Sequence, residues 1–117
     1  MSYVQIALLP VPIDQREAYL ASARAMAVIF REHGAHVNED YWGIDLPDGE
    51  RTDFKRAVAA QENETVVVGM MTWPSKAAAD EAMAAVEQDP RMAEIDMPFD
   101  GRRMIFGGFE AMGLGQA

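Results

Sequence analysis

The sequence predicts an α+β fold in which four strands and two helices follow one another as β-α-β-β-α-β, within a single domain of residues 1–117. Apolar residues alternate with period two in the strand-like stretches and recur every three or four residues in the helical ones. Prolines, glycines and capping residues separate the stretches. Because strands and helices each bury one apolar face, this order favours a sheet with both helices on one side.

Composition limits the classes of function. The chain has no cysteine and carries 10 basic against 19 acidic side chains, a formal charge of -9. Nucleic acids and anionic membranes bind clusters of Lys and Arg, so we expect neither as a partner. The sequence has no apolar run long enough for a membrane helix and no signal-peptide pattern, which predicts a cytoplasmic protein. Without cysteine there are no disulfides or thiolate nucleophiles, and no cofactor is predicted.

The first predicted strand covers residues 2–9 and alternates in polarity. The face expected to meet the helices carries Val4, Ile6 and Leu8. The other face, with Tyr3, Gln5 and Ala7, is semi-polar. We therefore expect that second face to meet a cavity, water or a partner sheet.

A helix is predicted to begin at Asp14, which has the form of a capping box with Glu17, and to end at Gly34. Its apolar stripe comprises Tyr19, Ala23, Met26, Ala27 and Phe30. Residues 35–46 predict a second strand that runs into a Pro-Asp-Gly turn. The polar residues 50–62 predict a long connection, a feature that is typical of functional or partner-contacting loops.

Residues 64–73 give the strongest strand prediction, because they are apolar on both faces and so favour a central position in the sheet. Ser75 is predicted to cap a second helix that runs to about Gln88. Its buried stripe comprises Ala79, Ala82, Met83 and Val86. A short helical turn is predicted from Asp89, with proline at its first position.

The last strand is predicted at residues 102–111, after a turn at residues 97–101. It contains Gly107 and Gly108. A glycine pair inside a strand usually marks a bulge or a place where another backbone or a ligand comes close, because a side chain there would collide with it.

Together these elements predict the ferredoxin-like pattern, a four-stranded antiparallel sheet with two helices on one face. The other face would expose apolar residues from several strands, which a monomer seldom tolerates. We therefore expect a homodimer with the sheets face to face, a dimeric α/β barrel.

Several short motifs resemble one known family. They are LPVP at 9–12, EHGA at 32–35, PDG at 47–49, ETVV at 64–67, WPS at 73–75, DPRM at 89–92 and MPFDGRRMIFGGFE at 97–110. These pieces resemble the YbaA-like family of uncharacterised bacterial proteins, domain of unknown function 1428. The resemblance implies the dimeric α/β-barrel superfamily, similar in fold to small cofactor-less monooxygenases, muconolactone isomerases and stress-response barrels. It implies no established activity.

One position departs from that family pattern. The family leads us to expect an acidic pair directly before the PDG turn, whereas this chain has Ile44 and Asp45. A mechanism that needs two carboxylates at this turn is therefore weakened.

Candidate catalytic residues are His33, His36 and Asp45. The two histidines are the only side chains with an ordinary pKa near neutrality. His33 at the end of a helix is more often stabilised by the helix dipole than catalytic, and spacing identifies no third ligand for a metal site. Asp45 at the end of a strand can pair with His36 as an orienting carboxylate.

The other acidic residues between positions 39 and 53 are predicted to lie in a solvated loop. They are Glu39, Asp40, Asp48, Glu50 and Asp53. Their spacing does not match a calcium-binding loop.

Candidate ligand-binding residues are Tyr3, Trp73, Arg102 and Arg103. Alternation in the last strand would send the two arginines to opposite faces, and a buried guanidinium needs a carboxylate or an anionic ligand. Structural pairing is the more common of the two. An aromatic-lined pocket with one arginine suits a planar organic molecule.

Two functions remain open. The first is binding or transformation of a small apolar oxygenated molecule, by proton transfer or cofactor-less oxygenation on the analogy of the fold. The second is a non-catalytic dimeric module that binds a ligand or a protein. A cavity with inward-pointing His and Arg would favour the first, and an interior filled by Met and Val would favour the second.

Overall fold

A computed structural model describes residues 2–115, with the side chain of Val37 excepted. The strands are β1 (Tyr3–Pro12), β2 (Val37–Trp42), β3 (Glu64–Trp73) and β4 (Ile105–Glu110). The helices are α1 (Arg16–Glu32), the short α2 (Phe54–Ala57) and α3 (Lys76–Glu87). All neighbouring strands are antiparallel, in the order β2-β3-β1-β4. This arrangement confirms the ferredoxin-like α+β prediction.

The two faces of β1 are the reverse of the prediction. Tyr3 pairs with Trp73 and Gln5 with Met71, on the face that packs against the helices. Val4, Ile6 and Leu8 therefore lie on the opposite face of the sheet, which the helices do not cover and which we call the bare face. Alternation shows which residues share a face, but β1 is apolar on both, so it does not show which face turns inward. Gln5 is accommodated inside because its carbonyl oxygen accepts a hydrogen bond of 2.8 Å from the Trp73 indole.

The helix ends are set by local chemistry, with one exception. Ser75 Oγ accepts a hydrogen bond from the Ala78 N–H at 3.1 Å, which confirms the predicted cap of α3. Gly34 ends α1 with a φ of +110°, a conformation that favours glycine. The predicted capping box of Asp14 is wrong, because a 3-10 turn precedes α1 and no side chain caps it. The Ile13 N–H donates instead to Asn63 O at 2.8 Å, which ties the entry to α1 to a neighbouring loop.

The core lies between the sheet and the helices in two clusters. One is centred on Trp73, which is only 1% exposed, and packs Ile29 and Phe30 of α1 against the alanines of α3. The other joins Leu9 and Val11 of β1 to Tyr19 of α1 and to Val67.

Two strands are shorter than predicted. β2 ends at Trp42, because the Thr65 hydroxyl donates to Gly43 O at 2.8 Å and the chain then leaves the sheet. β4 begins at Ile105, because Asp100 caps a 3-10 turn that contains both arginines; its carboxylate accepts the Arg102 N–H at 3.0 Å. Alternation therefore does not place Arg102 and Arg103 on opposite faces of a strand.

The connection between β2 and β3 is ordered around a short helix. Asp53 caps α2, and its carboxylate accepts from the Arg56 N–H at 2.8 Å. The hydrogen bonds with Arg56 lower the pKa of Asp53 to about 2. Val58 then anchors the segment with 1% of its surface exposed.

A close approach is found at Gly108, but it is made by the side chain of Tyr3 and not by the backbone or ligand that was predicted. A Cβ built there would overlap the Tyr3 hydroxyl group. Gly108 pairs with Gln5 on the helix-facing side of the sheet. The glycine therefore makes room for the Tyr3 ring.

None of the helices within residues 2–115 combines the length and the apolar character needed to cross a bilayer.

Candidate functional site

An apolar cavity of about 210 Å³ lies between the helix-facing side of the sheet and the helices. Its walls include the methionines Met26, Met71, Met83, Met97 and Met104 and the aromatic residues Phe30, Phe99 and Phe106. Methionine side chains are flexible and polarizable, so they can adapt to ligands of different shape. The cavity is the first element of a candidate site.

One carboxylate, that of Asp40, lines this apolar cavity. Tyr19 of α1 donates a hydrogen bond of 2.6 Å from its hydroxyl to Asp40 Oδ2. Asp40 pairs with Gly69 of β3, and a Cβ on Gly69 would come within 3.1 Å of Asp40 Oδ1. The absence of a side chain at Gly69 leaves space for the carboxylate to turn inward.

The surroundings of the pair change both pKa values. Burial raises the pKa of Asp40 above its ordinary value; the Tyr19 hydrogen bond opposes this shift and the charge of Glu39 adds to it. Burial, and then the contact with Asp40, raises the pKa of Tyr19 far above its ordinary value. A carboxyl group with a raised pKa in an apolar cavity is suited to general acid–base chemistry.

Asp40 retains an open acceptor. Among residues 2–115, its carboxylate accepts hydrogen bonds from the Tyr19 hydroxyl alone. Oδ1 is therefore free to accept a proton or a hydrogen bond from a molecule in the cavity. Gln5 and Asn38, the other polar residues that line the cavity, already donate or accept within the protein.

A second, more open depression of about 680 Å³ lies between α1 and β2, and we call it the outer groove. It shares Tyr19, Ala23, Asn38 and Asp40 with the apolar cavity. The Tyr19–Asp40 pair therefore stands in the wall between the two.

The sequence-predicted catalytic residues lie outside both linings. His33 follows α1, with its Nε2 3.6 Å from Asp89 Oδ2. His36 is exposed, and its backbone N–H donates to Thr72 O at 2.8 Å. Asp45 is exposed beyond the end of β2. The predicted pairing of His36 with Asp45 is wrong, since no hydrogen bond or ion pair joins them within residues 2–115; the early end of β2 carries Asp45 away from the sheet.

Arg103 is held by protein carboxylates. Its two terminal nitrogens donate to Glu64 at 2.7 and 2.8 Å, and its Nε donates to Asp100 at 3.1 Å. These bonds hold the pKa of Glu64 below its ordinary value. Arg102 is 95% exposed and lies 3.6 Å from Asp100.

The two predicted aromatic ligand-binding residues are also engaged within the protein. Trp73 is buried and bonded to Gln5, and Tyr3 packs over Gly108. Like Arg102 and Arg103, neither is part of the lining of the cavity or the outer groove.

Sequence reasoning missed Asp40, which it assigned to a solvated loop. Asp40 lies in the middle of β2 instead. A signal for Asp40 was present in residues 37–42, because Asn38, Asp40 and Trp42 occupy every second position and so lie on the same face of a strand. A tryptophan two residues after an aspartate in a strand indicates that both side chains share a face, and a tryptophan face is usually buried.

Within the described part of the chain, no group of three or more His, Asp and Glu side chains is arranged to hold a metal ion.

Two solved structures are similar in fold to this chain. One is a monooxygenase from Streptomyces coelicolor in complex with the ligand nanaomycin D, with a TM-score of 0.57 and 18% identity, covering 96% of this chain and 88% of that one. The other is Rv0793 from Mycobacterium tuberculosis, with a TM-score of 0.53 and 18% identity, covering 96% of each chain. At this identity the likeness shows the fold alone.

Sequence comparison shows the family. The chain is 46% identical over 114 residues to the uncharacterized protein YbaA of Escherichia coli K12, covering 96% of this chain and 97% of YbaA. The YbaA of Shigella flexneri matches to the same extent. The family model described as "Protein of unknown function (DUF1428)" matches residues 2–101. The chain therefore belongs to the YbaA-like DUF1428 family.

Proposed function

We propose that the protein binds a small apolar oxygenated molecule in the cavity between sheet and helices and transforms it by proton transfer at Asp40. No His or Arg of residues 2–115 lines this methionine-rich cavity, so the expected inward-pointing His and Arg do not support the proposal; the observation that carries it is the Tyr19–Asp40 pair in the cavity wall. A small number of polar groups in a mostly apolar pocket fixes the orientation of a ligand there.

The size of the cavity supports a small ligand. At about 210 Å³ it is smaller than a typical drug-sized site. An apolar protein cavity of about 150 Å³ holds benzene. A substituted benzene ring, or a benzene ring fused to a second small ring, is therefore the expected scale of the ligand.

Asp40 is the group that would exchange the proton. Its open Oδ1 faces the space left by Gly69, while Tyr19 holds Oδ2. In the proposed step, Oδ1 takes a proton from an acidic C–H or O–H of the ligand, and the electron pair of the broken bond remains on the ligand. Return of the proton at another atom completes an isomerisation. Alternatively, dioxygen adds to the carbanion and forms a C–O bond; the resulting peroxide anion takes the proton back from Asp40, and the hydroperoxide loses water to leave a carbonyl group.

The likeness to the Streptomyces monooxygenase supports this choice of reaction class by analogy. That protein was solved in complex with nanaomycin D. Ligand binding is therefore compatible with the fold. The residue proposed to act in this chain, Asp40, is one that lines its own cavity.

Exchange of hydrogen for deuterium tests the proposal without knowledge of the natural substrate. 2-Tetralone is an apolar carbon acid of suitable size, and its exchange in D₂O can be followed by proton NMR. We expect the wild type to catalyse exchange and Asp40→Asn to lose about 100-fold or more of it.

Asp45→Asn is the matched control, because Asp45 is the acid that sequence reasoning selected and it is exposed. It should retain full exchange activity. Loss of activity in Asp45→Asn with retention in Asp40→Asn would return the catalytic role to Asp45 and the histidines. No exchange above buffer in the wild type would contradict acid–base chemistry on a carbon acid.

The bare face of the sheet supports a second proposal, that the protein forms a homodimer. It carries Val4, Ile6, Leu8, Val68, Met70, Tyr41, Ile105 and Phe109. Phe109 is 54% and Ile105 45% exposed, so this surface is apolar and open. A second copy placed face to face would cover it and form the dimeric α/β barrel.

Sedimentation equilibrium of a matched pair of variants tests this dimer. Ile6→Glu places a charge in the middle of the bare face and should give a monomer. Ile44→Glu introduces the same charge at a residue that is 90% exposed and should leave the dimer intact. A monomeric wild type would refute the proposal.

A further inference from the structure

The outer groove carries three arginines of the same helix. Arg16, Arg24 and Arg31 of α1 are all exposed, and all line the groove. At a rise of 1.5 Å per residue, neighbouring members lie roughly 10 to 12 Å apart along the helix. The groove therefore has positive charge along its whole length.

None of the three has an acidic partner within residues 2–115. The arginine ion pairs of this part of the chain are formed by Arg56, Arg91, Arg102 and Arg103. Arg16 instead lies over the Trp42 ring, 5.2 Å from its guanidinium carbon to the ring centroid. In a chain with 19 acidic against 10 basic side chains, arginines without partners in one groove mark a local site for anions.

Two carboxylates also line the groove and offset part of this charge, although neither forms an ion pair with the three arginines. Glu39 accepts the Asp40 N–H at 3.0 Å and belongs by alternation to the opposite face of β2. Asp40 is held by Tyr19. Three guanidinium groups against two carboxylates leave the groove with net positive charge.

The space between the arginines is apolar. Leu20 and Val28 follow Arg16 and Arg24 by four residues each, so they lie on the same stripe of α1. They are 38% and 46% exposed. The volume of about 680 Å³ lies within the range of small-molecule sites, about 300 to 1,000 Å³.

We infer that the outer groove is a binding site for a small organic anion with an apolar body, of the class of aromatic carboxylates and sulfonates. The arginines supply charge-assisted hydrogen bonds to the anionic group. Leu20, Val28 and the Trp42 ring cover the apolar body. This site goes beyond the proposed function, since it requires no reaction at Asp40.

A pair of fluorescent probes that differ in charge tests the inference. 1-Anilinonaphthalene-8-sulfonate is an apolar anion, and N-phenyl-1-naphthylamine is its neutral counterpart. We expect the double variant Arg24→Gln/Arg31→Gln to bind the sulfonate about tenfold more weakly or worse. Its affinity for the neutral probe should change less than twofold, and Arg24→Lys/Arg31→Lys should recover part of the loss.

The control is Arg51→Gln/Arg102→Gln, which removes the same charge from exposed arginines outside the groove. It should keep wild-type affinity for the sulfonate. An equal loss in this control would show a general effect of net charge, and an unchanged Kd in the groove variant would place the probe elsewhere. Either result overturns the inference.

The two tryptophans give an independent readout of position. Trp42 lines the groove, whereas the Trp73 indole is buried and bonded to Gln5. On titration with the sulfonate, the indole N–H resonance that disappears in Trp42→Phe should shift, and the other should not. A shift of the Trp73 resonance alone would contradict binding in the groove.

Discussion

Glu64 and Asp40 are two carboxylates on the same sheet whose pKa values move in opposite directions. Glu64 begins β3 with its side chain 5% exposed, and two nitrogens of Arg103 lower its pKa. Asp40 is half-buried in the edge strand β2, where burial outweighs the neutral hydroxyl of Tyr19 and its pKa rises. A buried carboxylate with a cationic partner is a structural element, while one without such a partner is available for chemistry.

The largest expected change in stability is at Glu64, the carboxylate that is paired with Arg103. Glu64→Gln removes the charge that Arg103 is bonded to and should lower the free energy of unfolding by about 1 to 3 kcal/mol. Urea denaturation followed by circular dichroism measures this loss. Arg102→Gln, at a residue that is 95% exposed, should leave the denaturation midpoint unchanged. If both variants unfold at the wild-type midpoint, the Glu64–Arg103 pair does not hold the fold together.

A smaller loss is expected at the partner of Asp40. Tyr19→Phe removes one hydrogen bond to a carboxylate and should cost about 1 to 2 kcal/mol. It should also raise the pKa of Asp40 further, because the Tyr19 bond is the contribution that lowers it. Carbon-13 NMR titration of the aspartate carboxyl groups measures this shift. A fall in the Asp40 pKa would mean that the hydroxyl favours the protonated acid.

The dependence of stability on pH should separate the two carboxylates by sign. Because the folded pKa of Glu64 is lowered, its stabilising contribution is present above its unfolded pKa of about 4.3 and is lost as pH falls through the folded value. The folded pKa of Asp40 is raised, so its contribution is present below its unfolded pKa of about 3.9 and is lost as pH rises through the folded value.

Glu64→Gln should therefore differ least from the wild type at acidic pH. Asp40→Asn should instead gain stability relative to the wild type as pH rises from the unfolded to the folded pKa. Denaturation series from pH 3 to pH 8 compare the three proteins. If the stability of both variants relative to the wild type changed with pH in the same direction, the two carboxylates could not be distinguished in this way.

The smallest expected effect is at the glycine that faces Asp40. Gly69→Ala places a Cβ 3.1 Å from Asp40 Oδ1, so the carboxylate must move by a few tenths of an ångström. The added methyl group restricts the unfolded chain and so offsets the steric cost, and stability should change by less than about 1 kcal/mol. The carbon-13 titration of Asp40 should shift. Gly101→Ala, where a Cβ meets nothing within 4 Å, is the control. An unaltered Asp40 titration in Gly69→Ala would show that the carboxylate does not depend on this space.

The sequence by itself determined the order of the helices and strands. It also determined those helix and strand ends that are fixed by neighbouring capping or turn residues. The bounds of β3, the Ser75 cap of α3 and the end of α1 at Gly34 follow from residues within a few positions. The close approach at Gly108 was also readable, because few other features place two glycines inside a strand. The family was also readable, because each of its motifs is a short run of neighbouring residues, and the family match over residues 2–101 confirms it.

Only the tertiary structure decided which way the side chains face and which of them meet. β1 carries apolar residues on both faces, so the packing of the helices, and not its own pattern, decided that Tyr3 and Gln5 face inward. Asp40 acquires its raised pKa mainly from burial beside Gly69 and the apolar cavity, which are distant in sequence, while the equally distant Tyr19 opposes the shift. Arg103 finds Glu64, 39 residues away. The physical reason is that periodicity sets the relative orientation of neighbouring residues, whereas burial and partners depend on long-range packing.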